Sequence, residues 1–184
     1  MPNKIILGFV GDLSSGKGTA SNYLKDKYSA NSYRFSTMLR DVAKRVYIET
    51  TRDNLQKLST VLRENFGQDL LSKVMAEDVK NDPGQIVVVD GIRRESDITF
   101  LKIIEGFHLI YITADPKLRW ERLCKRNENT GDSEKTYEEF LKDETAEADL
   151  PIKRLGQTAE VTLRNDGTVE EFKKELDKLV EKYS

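Results

Sequence analysis

The sequence predicts an α/β fold, a parallel sheet covered by helices. Three observations carry that reading. Apolar runs of four to six residues alternate with longer stretches of helical period. Three runs, Ile5 to Val10, Ile86 to Val89 and Leu109 to Ile112, have few polar interruptions, as strands buried on both faces require. The 184 residues suit one domain with a sizeable core.

The elements follow in order. After the first strand comes GDLSSGKGTA, Gly11 to Ala20, and a helix over Lys17 to Lys27. Lys17 stands where that helix begins, a place already partly positive, so a cation there costs a few tenths to about 1 kcal/mol. An anion beside it explains the choice. Ser32 to Phe35 is a weaker strand, followed by helical segments over Thr37 to Ile48 and Asp53 to Lys80, the latter broken at Gly67. The strand Ile86 to Val89 leads to a helix over Glu95 to Glu105, and Leu109 to Ile112 leads to Asp115 with Pro116, an N-cap followed by proline at the first helical position. The helix Pro116 to Arg126 gives way to the wholly polar stretch Asn127 to Thr136, expected to be exposed and mobile. A weak strand, Val161 to Leu163, then precedes an amphipathic last helix over Val169 to Lys182.

Composition excludes several function classes. Thirty-two acidic and 30 basic side chains give a net charge of −2, so no overall field favours nucleic acid or an anionic membrane. Anion binding must be local. The single cysteine, Cys124, forms no intramolecular disulfide and reads as a small apolar side chain, and the lone His108 has no metal-ligand cluster around it. The first apolar run is too short for a signal or a membrane span. A soluble, cytoplasmic protein of a reducing compartment is expected.

Gly11, Gly16 and Lys17 fit G-x-x-x-x-G-K in its strand-to-helix context. Such a loop turns backbone N–H groups onto phosphate oxygens, and the lysine neutralises the β and γ phosphates. Gly18 stands where the motif usually has the magnesium-binding hydroxyl, and Thr19 follows it. In IVVVDGIRRESD, Asp90 leaves a buried strand beside the loop, placed to hold magnesium or to serve as an ordinary turn residue. Arg119, Arg122 and Arg126 share one helical face next to the polar stretch, either a phosphate-binding strip on a closing lid or a solvated face partnered by Glu121 and other acids. Arg63 lies on a helix whose other side is apolar, where it either holds an acceptor phosphate or pairs at the surface with Glu64 or Asp69.

These residues together resemble the P-loop nucleoside monophosphate kinase superfamily. SSGKGT, residues 14 to 19, is similar to the phosphate loop of adenylate kinases and UMP/CMP kinases; FSTMLR, 35 to 40, resembles their S-T-G-D-x-L-R with residues missing; DGIRR, 90 to 94, looks like D-G-F-P-R, with Arg94 at the family's arginine and Arg93 at its proline. ADPKLRWERLCKR, 114 to 126, is similar to the family's lid, and AEVTLRNDGTVEEF resembles the strand, turn and helix of short nucleotide kinases related to dephospho-CoA kinase. The resemblance implies a three-layer P-loop NTPase fold with a five-stranded parallel sheet, a small helical acceptor-binding region at 37–80 and a short lid at 119–147. It implies ATP on Gly11, Ser14, Ser15, Gly16, Lys17, Gly18 and Thr19 with Asn165 near the adenine, and magnesium at Thr19 and Asp90. The acceptor then meets Thr37, Arg40, Arg63 and one or both of Arg93 and Arg94, while Lys17, Arg119, Arg122 and Arg126 stabilise the moving phosphoryl group.

The implied activity is ATP-dependent phosphorylation of a nucleoside or deoxynucleoside monophosphate, a small-molecule partner. A dephospho-CoA kinase or another small-metabolite kinase is the first rival. Hydroxyl acceptors usually need a carboxylate base. That family places one just after the second strand, where this chain has Ser36 and Thr37, although Asp12 or Asp41 could substitute. A nucleotide-binding switch is the second rival, weakened because no N-K-x-D stretch occurs.

Overall fold

The computed structural model describes residues 4–126, 132–144 and 150–184. Five strands, β1 (Ile5–Gly11), β2 (Asn31–Arg34), β3 (Ile86–Ile92), β4 (Phe107–Thr113) and β5 (Val161–Arg164), form one sheet in the order β2-β3-β1-β4-β5. Every neighbouring pair is parallel. The apolar β1 takes the centre and is buried along its whole length. Its carboxyl end therefore opens between those of β3 and β4, the edge where open α/β sheets bind ligands.

Alternation along the strands divides the core into two layers. Ile6, Val10, Val87 and Val89 point to one face, against α2 (Phe35–Arg45), α3 (Arg52–Phe66), α4 (Leu70–Asn81) and a later helix; Ile5, Leu7, Phe9 and Val88 point to the other, where α1 (Lys17–Tyr28) brings Ala20 and Leu24. Each fully buried side chain of this size stabilises the fold by about 1.5–3 kcal/mol. The remaining helices among the described residues are α5 (Glu95–Ile98), α6 (Pro116–Arg126), α7 (Tyr137–Glu144), α8 (Leu150–Gly156) and α9 (Val169–Tyr183). The last closes the second layer with Phe172, Leu176, Leu179 and Val180.

Local signals placed the helix starts. Asp115 accepts from the Lys117 N–H at 2.9 Å, capping α6, and Thr168 and Glu171 form a reciprocal capping box at α9. The stretch expected as one helix over Glu95 to Glu105 is instead the single turn α5 and a 3₁₀ turn, Leu101–Ile103. Asp97 caps the start of α5, its carboxylate accepting from the Arg93 and Arg94 N–H groups, and at the break the Phe100 N–H donates to the Ser72 hydroxyl of α4 at 3.0 Å. Helix α2 starts two residues before the expected Thr37 and ends at Arg45, because Tyr47 takes a left-handed φ of 58°. Of the polar stretch Asn127 to Thr136, residues 127–131 lie outside the described residues. Asp132–Glu134 form a 3₁₀ turn in which Asp132 is buried against expectation, while Ser133, Glu134 and Thr136 are exposed.

Candidate phosphate-binding site

The turn between β1 and α1 is a tight loop whose glycines are required. At Gly11 a Cβ would lie 2.1 Å from the Ile112 carbonyl oxygen, and at Gly16, with φ of 108°, it would lie 2.3 Å from the Asn165 amide nitrogen. Gly16 is also the N-cap of α1, and no side chain caps that end, so the first N–H groups of the helix face the loop uncovered by any cap. Ser14, with φ of 57°, and Ser15 hold buried hydroxyls that have no hydrogen-bond partner among the described residues. Buried hydroxyls left so are costly unless a ligand answers them, and phosphate oxygens are acceptors of the right kind.

Lys17 folds over this loop and donates to the Gly11 and Asp12 carbonyls, each at 2.7 Å. Desolvation, the largest influence, draws its ammonium down to about 8 against the pull of the Asp90 and Asp12 carboxylates; Arg93 and Arg119 add to the fall. Four of the chain's charged groups therefore act on one lysine. A polyanion there would meet a site already short of negative charge.

Asp90 ends the buried part of β3. One oxygen accepts from the Gly91 N–H at 2.7 Å, and the other pairs with the Arg34 guanidinium at 2.8 Å. Asp12 is 6% exposed and bound by β4, where the Tyr111 hydroxyl donates at 2.9 Å and Thr113 at 2.6 Å. Burial, foremost, pushes the Tyr111 hydroxyl up to about 12, so it remains a donor. Thr19 is exposed on the first turn of α1. A carboxylate and a hydroxyl beside a phosphate loop are the hard oxygen donors that magnesium takes when phosphates and water complete its shell, so Asp90 and Thr19 fit that ion.

The arginines divide sharply. Arg63 is buried and donates to Asp97 at 2.7 Å and to the Gln68 carbonyl at 2.6 Å; it is no surface arginine and pairs with neither Glu64 nor Asp69. Arg119, expected on an uncommitted strip, is 3% exposed. It is gripped by the buried Glu144 of α7, donates to the Ala114 carbonyl at 2.9 Å, reaches the Leu13 carbonyl of the loop at 3.5 Å, and lies over the Phe140 ring. Arg122 donates to the Asn165 carbonyl at 2.8 Å, and its other terminal nitrogen is buried with no partner among the described residues. Arg126 is exposed at the end of α6. Thr37, Arg40, Arg93 and Arg94 are exposed beyond β2 and β3. The Arg93 charge is among those that act on Lys17.

Asn165 joins the loop from the far end of the chain, donating to the Ser15 carbonyl at 2.9 Å. Arg34, Tyr111, Thr113 and Glu144 were not singled out by sequence. Only the strand register that sets Arg34 beside Asp90, and the pairing of β1 with β4, bring them in. Asp41, weighed as a base, acts on Asp78 of α4, raising its carboxyl after burial has done so. Cys124 is half-buried, with its thiol 3.8 Å from the Lys135 carbonyl, and His108 is half-buried, stacked on Tyr183 and paired with Glu160.

Comparison with known proteins agrees with this geometry. The profile of a family described as an AAA domain matches residues 10–141. UPF0200 proteins align along nearly the whole chain: that of Sulfurisphaera tokodaii is 30% identical over 179 residues, covering 96% of each chain, and that of Hyperthermus butylicus is 28% identical over 178, covering 97% of this chain and 94% of the other. Among solved structures, a shikimate kinase from Bacteroides thetaiotaomicron superposes with a TM-score of 0.65 at 15% identity, covering 96% of this chain and 98% of its own. The TT1252 protein of Thermus thermophilus gives 0.60 at 18%, covering 99% of both. The fold is thus that of P-loop kinases, as the sequence resemblance implied, and the chain belongs to the AAA-domain family and to that of the UPF0200 proteins.

Proposed function

We propose that the protein is a phosphotransferase that moves the terminal phosphoryl group of ATP to a nucleoside or deoxynucleoside monophosphate. The observation that carries this reading is the gathering of Lys17 and the orphaned Ser14 and Ser15 hydroxyls on one loop at the carboxyl edge of the sheet, with Asp90 on the neighbouring strand β3. Lys17 and the uncapped N–H groups of α1 hold the polyphosphate, and the unpartnered nitrogen of Arg122 supplies a further donor beside Asn165. Asp90 and Thr19 hold magnesium, which when bound neutralises phosphate charge. Arg40, Arg93 and Arg94 receive the acceptor's phosphate, with residues 37–80 as the acceptor region and 119–147 as the lid.

The carboxylates near the loop support an acceptor that is already an anion. Asp12 is occupied by two hydroxyl donors, and Asp90 by Arg34 and Gly91. An acceptor phosphate needs no general base, and catalysis is then positioning plus charge stabilisation. The balanced charge and single cysteine support a cytoplasmic enzyme that engages no nucleic acid.

A coupled assay with ATP, magnesium and all common ribo- and deoxynucleoside monophosphates tests this. Turnover with at least one monophosphate is expected. Phosphorylation of dephospho-CoA or another hydroxyl acceptor alone would overturn the monophosphate reading, and nucleotide-dependent thermal stabilisation without product from any acceptor would leave a binding protein.

A further inference from the structure

At the last register pair of β2 and β3, Arg34 stands directly beside Asp90. Its guanidinium holds the Asp90 Oδ2 at 2.8 Å, while the other carboxylate oxygen is taken by the Gly91 N–H. The two partners are unequal. The Asp90 side chain is 9% exposed and fixed at the end of a buried strand, whereas Arg34 is 52% exposed and carries its charge on a long side chain free to leave. Asp90 also acts on Lys17, so the carboxylate lies between two cations, one on the phosphate loop and one where the chain enters α2.

We propose that Arg34 is a displaceable counter-ion of Asp90, a positioning residue that leaves the carboxylate when a divalent cation arrives and then offers its guanidinium to the anionic group of the acceptor. This rests on the phosphotransferase reading given above. A divalent ion approaching that oxygen meets the positive charge of the guanidinium, and the half-exposed arginine, with half the ion's charge, is the partner that yields. Released, Arg34 stands at the start of the helix that carries Thr37 and Arg40. Metal and acceptor then favour each other, and the coupling is reciprocal. The device delays recruitment of acceptor until the donor is charged with metal.

Titration of Mn²⁺ into the ADP-bound protein, followed by electron paramagnetic resonance, tests the first half without any turnover. Arg34→Ala is expected to bind Mn²⁺ about two- to fivefold more tightly than wild type, the range set by a partly exposed ion pair. Arg34→Lys should restore most of the wild-type affinity, and in an Asp90→Asn background Arg34→Ala should have no effect. For the second half, inorganic phosphate is the probe: calorimetry should find tighter binding to wild type with Mg²⁺ and ADP than with ADP alone, and no such gain in Arg34→Ala. Unchanged or weaker Mn²⁺ affinity in a folded Arg34→Ala, or an effect that persists in Asp90→Asn, overturns the proposal while the phosphotransferase reading stands. A phosphate gain that survives in Arg34→Ala overturns the acceptor half. If ADP and Mn²⁺ do not bind the wild-type protein at all, both readings fall.

Discussion

The two sides of the sheet's carboxyl edge are built on opposite plans. On the side of β1, β4 and β5, polar groups are interlocked before any ligand enters: Lys17 lies on loop carbonyls, Asp12 on Tyr111 and Thr113, Arg119 on Glu144, and Asn165 on Ser15. On the side of β2 and β3, Thr37, Arg40, Arg93 and Arg94 stand exposed, and the Arg34 pair is half in solvent. A rigid cradle spends little ordering entropy on its guest. An open cluster of cations repels itself until an anion comes, and so suits a site completed by closure. Under the proposed function, the contrast separates a built donor site from an acceptor site that its ligand must organise.

The contrast breaks first if buried and exposed arginines behave alike. Arg119→Ala or Arg63→Ala leaves an acid unpaired in the interior and should lower unfolding free energy in urea by about 3–5 kcal/mol; loss of under about 1 kcal/mol in either would deny that these pairs brace the fold. Lys17→Ala should keep the fold by circular dichroism yet lower turnover about 10²–10³-fold, as loss of a fixed donor to transition-state charge does. Gly16→Ala combines a left-handed φ with a collision against Asn165. It should cost about 1–3 kcal/mol and weaken ATP binding by calorimetry.

A pH series sharpens the donor side. Lys17 loses its proton near 8, so ATP affinity should fall as pH rises through that value, approaching about tenfold per unit. The unfolded chain keeps this proton to 10.5, so the stability of the ligand-free protein rises with pH between about 8 and 10.5, as the cost of burying the charged ammonium is relieved. The smallest effect is expected on the open side. Arg40→Ala should change stability by no more than about 0.5 kcal/mol while raising the acceptor KM.

The strands were legible because their burial is written in unbroken apolar runs, and the phosphate loop because glycine and lysine are dictated there by backbone crowding and charge. Even Asp115 and Pro116 marked their helix to the residue. What stayed hidden was partnership. Nothing local distinguishes Arg63, sealed against Asp97, from Arg40, which is exposed, since the pairing joins residues 34 positions apart. Arg119 likewise owes its burial to Glu144 and Phe140 on a helix that sequence left unassigned. Ser72 shows the same from another side, for its hydroxyl, 28 positions away, takes the Phe100 N–H where periodicity would have continued the helix.

The bond from Asn165 to Ser15 crosses 150 residues. During synthesis, the glycine turn emerges from the ribosome near the beginning and waits for its brace until the fifth strand has been made. A nascent chain therefore carries the turn without its support, and the bracing of the turn arrives with the C-terminal segment rather than with the motif itself.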